Sequence, residues 1–490
     1  RRGIGFDLSG RSYVTIDGLG IELLNDHAVH QANGEASRSR GNVVRNARLR
    51  YADQGVYLEQ GTGEIEENIT EGFVLEGSEI GYMDTMALYL NHWWENGSDT
   101  DSFRHAGIVN TEIRDNELHH LGFRSEGESA IGSMIHYADR FRFEGNYVHD
   151  VAHNGVQFTW SVIQSSKEYG FDPGEIQTGE ILIKGNVFEK ACQLTTDCAG
   201  LKIWGTAPDN HVYRDVLVVG NVFRDSMGWT YVSEQRGKWS GGEGSDVRGM
   251  GGMGFYVDNA SGIHAYRNIA YNNGNAGYAM AGVWRDGEMV YYNNVAANSL
   301  YGFRIMGANF DTHGGSLNTQ LVNNMLVGNE GYGVLYQEND GEYGNMMLDH
   351  NLYYNNGWRS WEEGGVWKAG VMSIQLGAAP NRFYETLEQV RADTEWEDQG
   401  QAGDPQFVAY EVDDHDMQDG SWPDFQLTGG SEKAIDRGRE GLPGSLVALL
   451  GLFGVEDGRQ GTAYDIGRYE LGYIPPDLTV RIYLPLILDR

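Results

Sequence analysis

Short runs of alternating apolar and polar residues recur along most of this chain, and each opens on a small residue. They read GVYLEQ from Gly55, ALYLNH from Ala87, AIGSMI from Ala130, GVQFTW from Gly155, GLKIWG from Gly200, GFYVDN from Gly254, GYAMAG from Gly277, GFRIMG from Gly302 and GVLYQE from Gly333. Such alternation predicts strands, with the first and third residues after the small one on one face and the second and fourth on the other. A companion phrase pairs Asn with a preceding corner residue and then continues apolar. It reads GNYVHD from Gly145, GNVFEK from Gly185, GNVFRD from Gly220, RNIAYNN from Arg267, NNVAANS from Asn293, NNMLVGN from Asn323 and HNLYYNN from His350. Its second residue recurs after 26, 30 and 27 residues, at Asn268, Asn294, Asn324 and Asn351. That period marks a solenoid whose coil is three short strands and their corners, so the expected fold is all-β, a parallel β-helix.

An Asn at a fixed corner tolerates left-handed backbone, and its amide reaches the next coil, so a ladder of stacked Asn is expected. The inward pairs are Val56 and Leu58, Leu88 and Leu90, Ile131 and Ser133, Val156 and Phe158, Leu201 and Ile203, Phe255 and Val257, Tyr278 and Met280, Phe303 and Ile305, and Val334 and Tyr336. All but Ser133 suit a core. One outward row then runs Tyr57, Tyr89, Gly132, Gln157, Lys202, Tyr256, Ala279, Arg304, Leu335; the other runs Glu59, Asn91, Met134, Thr159, Trp204, Asp258, Ala281, Met306, Gln337. Coils stack at about 4.8 Å, which sets Lys202 beside Tyr256 and diagonal to Asp258. A base, a phenol, a carboxylate and an indole thus fall within reach of one sugar unit.

The repeat is interrupted beside this patch. Asn146 to Asn186 spans 40 residues and Asn221 to Asn268 spans 47, the excess lying in Ser161 to Gly179 and Ser233 to Met253, which carry Arg236 and Trp239. Long loops on a rigid scaffold commonly carry function. Trp160, Trp204 and Trp239 offer flat apolar platforms for sugar rings, with Gln157, Tyr89 and Arg304 as polar substrate contacts.

Composition narrows the ligand. With 36 Lys plus Arg against 70 Asp plus Glu among 490 residues, the net charge is −34. Such acidity disfavours nucleic acid and anionic membranes and favours neutral ligands or bound cations. The apolar run Ile482 to Leu488 is too short to cross a bilayer, so no membrane insertion is expected. The chain opens in strand-like sequence at Arg1, as expected after removal of a leading segment. The two cysteines, Cys192 and Cys198, can close a short disulfide loop in an exported protein, bringing Asp197 to the rim of the patch. An extracellular or cell-surface location is expected.

The coil phrases, DPQFV near Asp404, DFQLTGGSEKAIDRG near Asp424 and DIGRYE near Asp465 together resemble the right-handed parallel β-helix proteins of the pectate-lyase-like superfamily. The resemblance covers nearly the whole chain. It implies a polysaccharide partner and an active exposed sheet, where lyases often use Lys or Arg as base, sometimes with calcium. It does not select an activity, because the superfamily includes lyases, hydrolases, epimerases and noncatalytic surface proteins. The paired-Asp and Gly-His-Gly patterns of polygalacturonases and the Asp-Pro-His-Glu motif of epimerases are not evident.

The leading expectation is a polysaccharide lyase working by β-elimination, with Lys202 as base, Tyr256 as acid and Arg236 or Arg304 clamping the uronate carboxylate. The net charge opposes it, since a chain at −34 repels a polyanion. Glycoside hydrolysis is the rival, pairing Asp258 with Asp197, Glu234 or Asp286. A noncatalytic glycan-binding or self-assembling β-helix, monomer or homo-oligomer, is the third reading. The sequence marks no definite cofactor; calcium is the candidate ion, at Asp99 and Asp101 or at Asp413, Asp414 and Asp416.

Near residue 375 the pattern changes. Residues 1–375 read as the solenoid, and 376–490 as a capping segment with an amphipathic helix from Asn381 to Trp396 and strands at DPQF and DFQL that return along the coils. Such a segment covers the apolar end that a solenoid must hide.

Overall fold

The computed structural model describes residues 3–33, 38–60, 70–92, 108–125, 130–136, 138–159, 179–195, 197–205, 212–228, 251–282, 288–306, 318–338, 346–357, 361–363, 366–368, 370–376, 380–409, 424–461 and 463–470. Among them, three long sheets of 13, 11 and 12 strands run side by side, each strand pairing with its counterpart one coil away. One coil runs from Gln54–Gln60 in the first sheet through Val74–Glu76 in the second and Glu79–Met83 in the third, then returns to Leu88–His92. The pairings Tyr57↔Tyr89, Val74↔Glu112 and Glu79↔Glu117 are all parallel. The chain is a right-handed parallel β-helix.

The inward rows form one continuous core, from Leu8 through Val156, Leu201 and Phe255 to Ile374, each at most 3% exposed. Phe188, Phe223 and Phe255 stack with centroids 5.1 and 5.7 Å apart. The small residue opening each run has a steric cause: a Cβ on Gly155 would lie 2.4 Å from the Gly200 carbonyl oxygen of the next coil. In the coil after His92 the register differs from expectation. Leu88 pairs with Ser133 and Tyr89 with Met134, so the opening residue is Gly132 rather than Ala130. A two-residue slip preserves the face. Ser133 still points inward, while Met134 replaces Gly132 beside Tyr89 and His136 joins the second outward row.

The buried amide ladder runs through Asn116, Asn146, Asn186, Asn221, Asn268, Asn294, Asn324 and Asn351. Each side-chain amide donates to the Oδ1 one coil on, at 2.9 to 3.1 Å. Each Oδ1 also accepts the preceding ladder residue's backbone N–H, as from Asn221 to Asn268 at 2.9 Å. The left-handed backbone falls on the residue before the ladder Asn: Gly185 (φ 64°), Gly220 (66°), Arg267 (54°), Asn293 (55°) and Asn323 (60°). The corner phrase thus divides its work, the first residue making the bend and the second the bond.

The ladder stops on Glu397. Its Oε1 accepts from Asn351 Nδ2 at 2.7 Å and from the Tyr353 hydroxyl at 2.8 Å, and its Oε2 from the Asn351 N–H. The capping segment differs from the expected single helix over Asn381 to Trp396. Arg382–Tyr384 is a strand, antiparallel to the last front strand Gly370–Leu376, and the helix is α1, Leu387–Asp393. Thr386 caps that helix, which fixes its start. Leu387, Val390 and Trp396 close the core's end. The coil pattern also passes the expected boundary, for Gln401–Ala402 still pairs in the third sheet.

The rest of the segment covers the flanks rather than the end. Phe407–Ala409 and Asp424–Leu427 pair as an antiparallel hairpin, and Phe425, Leu427, Ala434 and Ile466 pack on Val222, Ile269, Val295 and Met325 outside the third sheet. A second helix, α2 (Gly444–Phe453), not anticipated from sequence, sets Leu446 and Leu450 on Leu217, Val290 and Val322 outside the second sheet. The docking bonds come from the bend residues: Arg267 pairs with Glu470 at 3.1 Å, and Asn293 Nδ2 donates to the Asp465 carbonyl at 2.7 Å.

Burial pushes the Glu397 carboxyl up to about 7 from its ordinary 4.5, against the Asn351 and Tyr353 donors. A raised acid favours the fold most below 4.5, and that contribution is lost as pH rises through about 7. Glu397→Gln, which cannot titrate, should therefore gain Tm relative to the native chain as pH rises across this window. Thermal melts of both proteins at stepped pH check this, and a constant difference overturns it.

Candidate functional site

The outward rows of the front sheet bring Lys202, Tyr256 and Asp258 together through the pairings Lys202↔Tyr256 and Trp204↔Asp258. Lys202 Nζ lies 3.0 Å from Asp258 Oδ2, 3.8 Å from Asp197 Oδ2 and 4.6 Å above the Tyr256 ring centroid. Cys192 and Cys198 are joined as a disulfide with Cα atoms 5.7 Å apart, and Asp197 projects from that loop, with 69% of its side chain exposed. The expected open face is closed at its centre: Lys202 is 7% and Tyr256 4% exposed, whereas Trp204 and Asp258 stay half-buried. Close row spacing makes neighbouring side chains shield one another's stems.

The electrostatics follow from that burial. Desolvation raises the Asp258 carboxyl above the usual carboxylate range, although Lys202 and a hydrogen bond with Tyr256 oppose it. Desolvation, followed by the charges of Asp258 and Asp197, pushes the Tyr256 phenol far up, so it remains a proton carrier. Lys202 has carboxylates rather than cations as its nearest charges.

On the N-terminal side the floor is polar. Asn154 Nδ2 donates to Gln157 Oε1 at 2.7 Å, and Gln157 Nε2 to Thr159 Oγ1 at 3.1 Å. On the other side it is apolar and low, with Ala276, Ala279, Ala281 and Met306 packed around Tyr256. Arg304 is three strand steps from Lys202. Tyr89 is three strand steps from Lys202 on the opposite side of the same row, its ring stacked on Tyr57 with centroids 5.3 Å apart. Trp160, Arg236, Trp239, Asp99, Asp101, Glu234, Asp286, Asp413, Asp414 and Asp416 lie outside the described residues. Among the described residues no group of three His, Cys, Asp or Glu side chains is placed to hold a metal, and no helix is long and apolar enough to cross a membrane.

Two histidines outside the sequence candidates also lie near this patch, one of them, His153, expected from sequence only to cap or pack a corner. His136 enters the second outward row once the register is corrected, and burial lowers it to about 4. His153 is also lowered to about 4, by burial and then by the Lys202 charge, while Asp197 opposes. Its backbone carbonyl accepts the Cys192 N–H at 2.8 Å, tying it to the disulfide loop. The signal for His153 was its place two residues before Gly155, at the corner feeding the strand beside Lys202.

No family model and no curated protein matches the chain. Among solved structures it is similar to the A-module of mannuronan C-5 epimerase AlgE4 from Azotobacter vinelandii, at 13% identity over 78% of this chain and 89% of that one (TM-score 0.42). It is also similar to pectate lyase Pel9A, at 15% identity over 81% and 88% (TM-score 0.36). A complex of XylC with xylose is similar at 12% identity over 84% of this chain (TM-score 0.40), and there the chain spans 56% of the other's length. The resemblance to pectate-lyase-like proteins is one of fold.

Among the described residues Lys202 pairs with both carboxylates, and breaking a buried pair leaves an uncompensated charge. Lys202→Met should lower stability by about 2 to 4 kcal/mol, and adding Asp258→Asn should restore part of it. Denaturant melts of the two single variants and the double variant check the coupling.

Proposed function

We propose that this protein is a carbohydrate-active β-helix enzyme that cleaves a polysaccharide lying across the front sheet, by hydrolysis through Asp258 and Asp197. The observation that carries this reading is one ammonium, Lys202, reaching both a half-buried and an exposed carboxylate. Burial raises Asp258 above the usual carboxylate range, the direction a general acid for the glycosidic oxygen requires. Asp197, at the rim, takes the proton of the attacking water. Trp204 and the low alanine floor leave room for a sugar ring, and the net charge of −34 favours a neutral chain over a uronan. The disulfide fits an extracellular or cell-surface setting.

β-Elimination is the second reading, favoured by the Tyr256 phenol under Lys202 in the same outward row as Arg304. Its difficulty is the base, because Lys202 is held between carboxylates.

Digestion of neutral polysaccharides and uronans, with and without calcium, separates the readings. New reducing ends without absorbance near about 235 nm are expected, since only elimination leaves an unsaturated uronate. Asp258→Asn should reduce turnover roughly a hundredfold or more. Absorbance growing with reducing ends assigns elimination instead, and binding without turnover of any polymer assigns a noncatalytic protein.

A further inference from the structure

The corner between the third and front sheets requires left-handed backbone in every coil, and the residues filling it change abruptly along the solenoid. Later coils place Asp150, Lys190, Asp225, Asn272 and Asn298 there, at φ between 45° and 58°. Such polar residues, Asn and Asp above all, suit this region. The first four coils place Leu23 (φ 62°), Tyr51 (58°), Tyr82 (58°) and His120 (53°) at the same position. Bulky side chains are uncommon in this conformation, and Leu23, Tyr51 and Tyr82 in succession constitute a local strain that burial does not explain, because all three remain exposed, at 57%, 45% and 37%.

The rings are nonetheless ordered against one another. Tyr51 and Tyr82 stack with centroids 5.1 Å apart, and Tyr82 and His120 at 4.7 Å. They wall a cleft of about 310 Å³ shared with Phe123, itself 39% exposed. Asp84 and Arg124 line the same cleft and pair at 3.1 Å. Apolar walls with a few polar groups at this volume are the features of a small-molecule site. The carboxylate and guanidinium cancel in charge yet still present acceptors and donors, which matches vicinal hydroxyls and not an anion. Burial lowers the neighbouring His120, which keeps the wall uncharged at neutral pH.

We infer that this corner cleft is a second carbohydrate-binding site, taking one or two sugar units of a neutral glycan between the Tyr51–Tyr82 stack and the Asp84–Arg124 pair. It lies on a different edge of the coil from Lys202 and Asp258, and it holds substrate or anchors the protein without taking part in bond cleavage. The inference shares with the proposed function only the class of ligand, and it stands if the front sheet proves noncatalytic.

The test uses the whole chain and four probes: cellohexaose, xylohexaose, laminarihexaose and mannohexaose at millimolar concentration. Hydrogen exchange should slow over Tyr82–Asp84 and His120–Arg124 with at least one of them. The Tyr51→Asn/Tyr82→Asn variant should lose that protection and bind at least tenfold more weakly. Its Tm should hold or rise, because Asn accepts the left-handed corner. Should that variant fail to fold, Asp84→Asn/Arg124→Gln leaves the ring stack intact and should weaken binding in the same way. Protection confined to residues 197–204 and 256–258 would overturn the corner site while leaving the front-sheet reading in place. So would unchanged affinity in the variants, no protection with any probe, or a concentration-dependent dimer that the same variants abolish.

Discussion

From Ser78 to Asn324 each coil has a buried backbone corner whose amide hydrogens must find acceptors away from water, and the Asn ladder supplies them. A buried N–H left unpaired costs about 1 to 3 kcal/mol. Each ladder Oδ1 satisfies two donors of the coil before it, one from the backbone and one from a side chain. Inter-coil spacing is thereby fixed at the corner as well as along the strands. The outward rows of the front sheet inherit that spacing, which is why Lys202 reaches Asp258 at 3.0 Å without any local motif to position it.

Outside the ladder, the two halves of the solenoid are finished differently. One outward row of the third sheet runs Gly20, Arg48, Glu79, Glu117, Tyr147 and then Val187, Val222, Ile269, Val295, Met325. The early coils meet water with charge, whereas the later ones need a cover, which the hairpin and α2 provide. The bend residues change in step: Gly145, Gly185 and Gly220 give way to Arg267, Asn293 and Asn323, whose side chains bind the covering segment. The DIGRYE motif is the other half of these contacts, with Asp465 receiving the Asp436 N–H, Ile466 buried and Glu470 meeting Arg267.

The coil, its three strands and the ladder were legible in sequence because strand alternation and Asn phase are local signals repeated many times. The slip at Gly132 was not, since a lone Ala130 imitates the opening small residue and a two-residue shift leaves the faces unchanged. The helix α2 escaped because its apolar face is read only against the flank of coils far away in sequence. For the site, the row assignment of Lys202, Tyr256 and Asp258 followed from alternation alone. What alternation cannot convey is depth. Lys202 faces outward and is still buried, with the carboxylate of Asp197, on the disulfide loop, 3.8 Å from its ammonium.

The ladder also has a direction. Every amide hands its hydrogen to the following coil, so the far end must receive and never give, and Glu397 is an acceptor with no amide hydrogen to strand. Interior coils, by contrast, all present the same acceptor upstream and the same donor downstream at this corner. A duplicated interior coil would therefore enter the stack without disturbing either terminus, so the solenoid can lengthen by whole turns under one terminator.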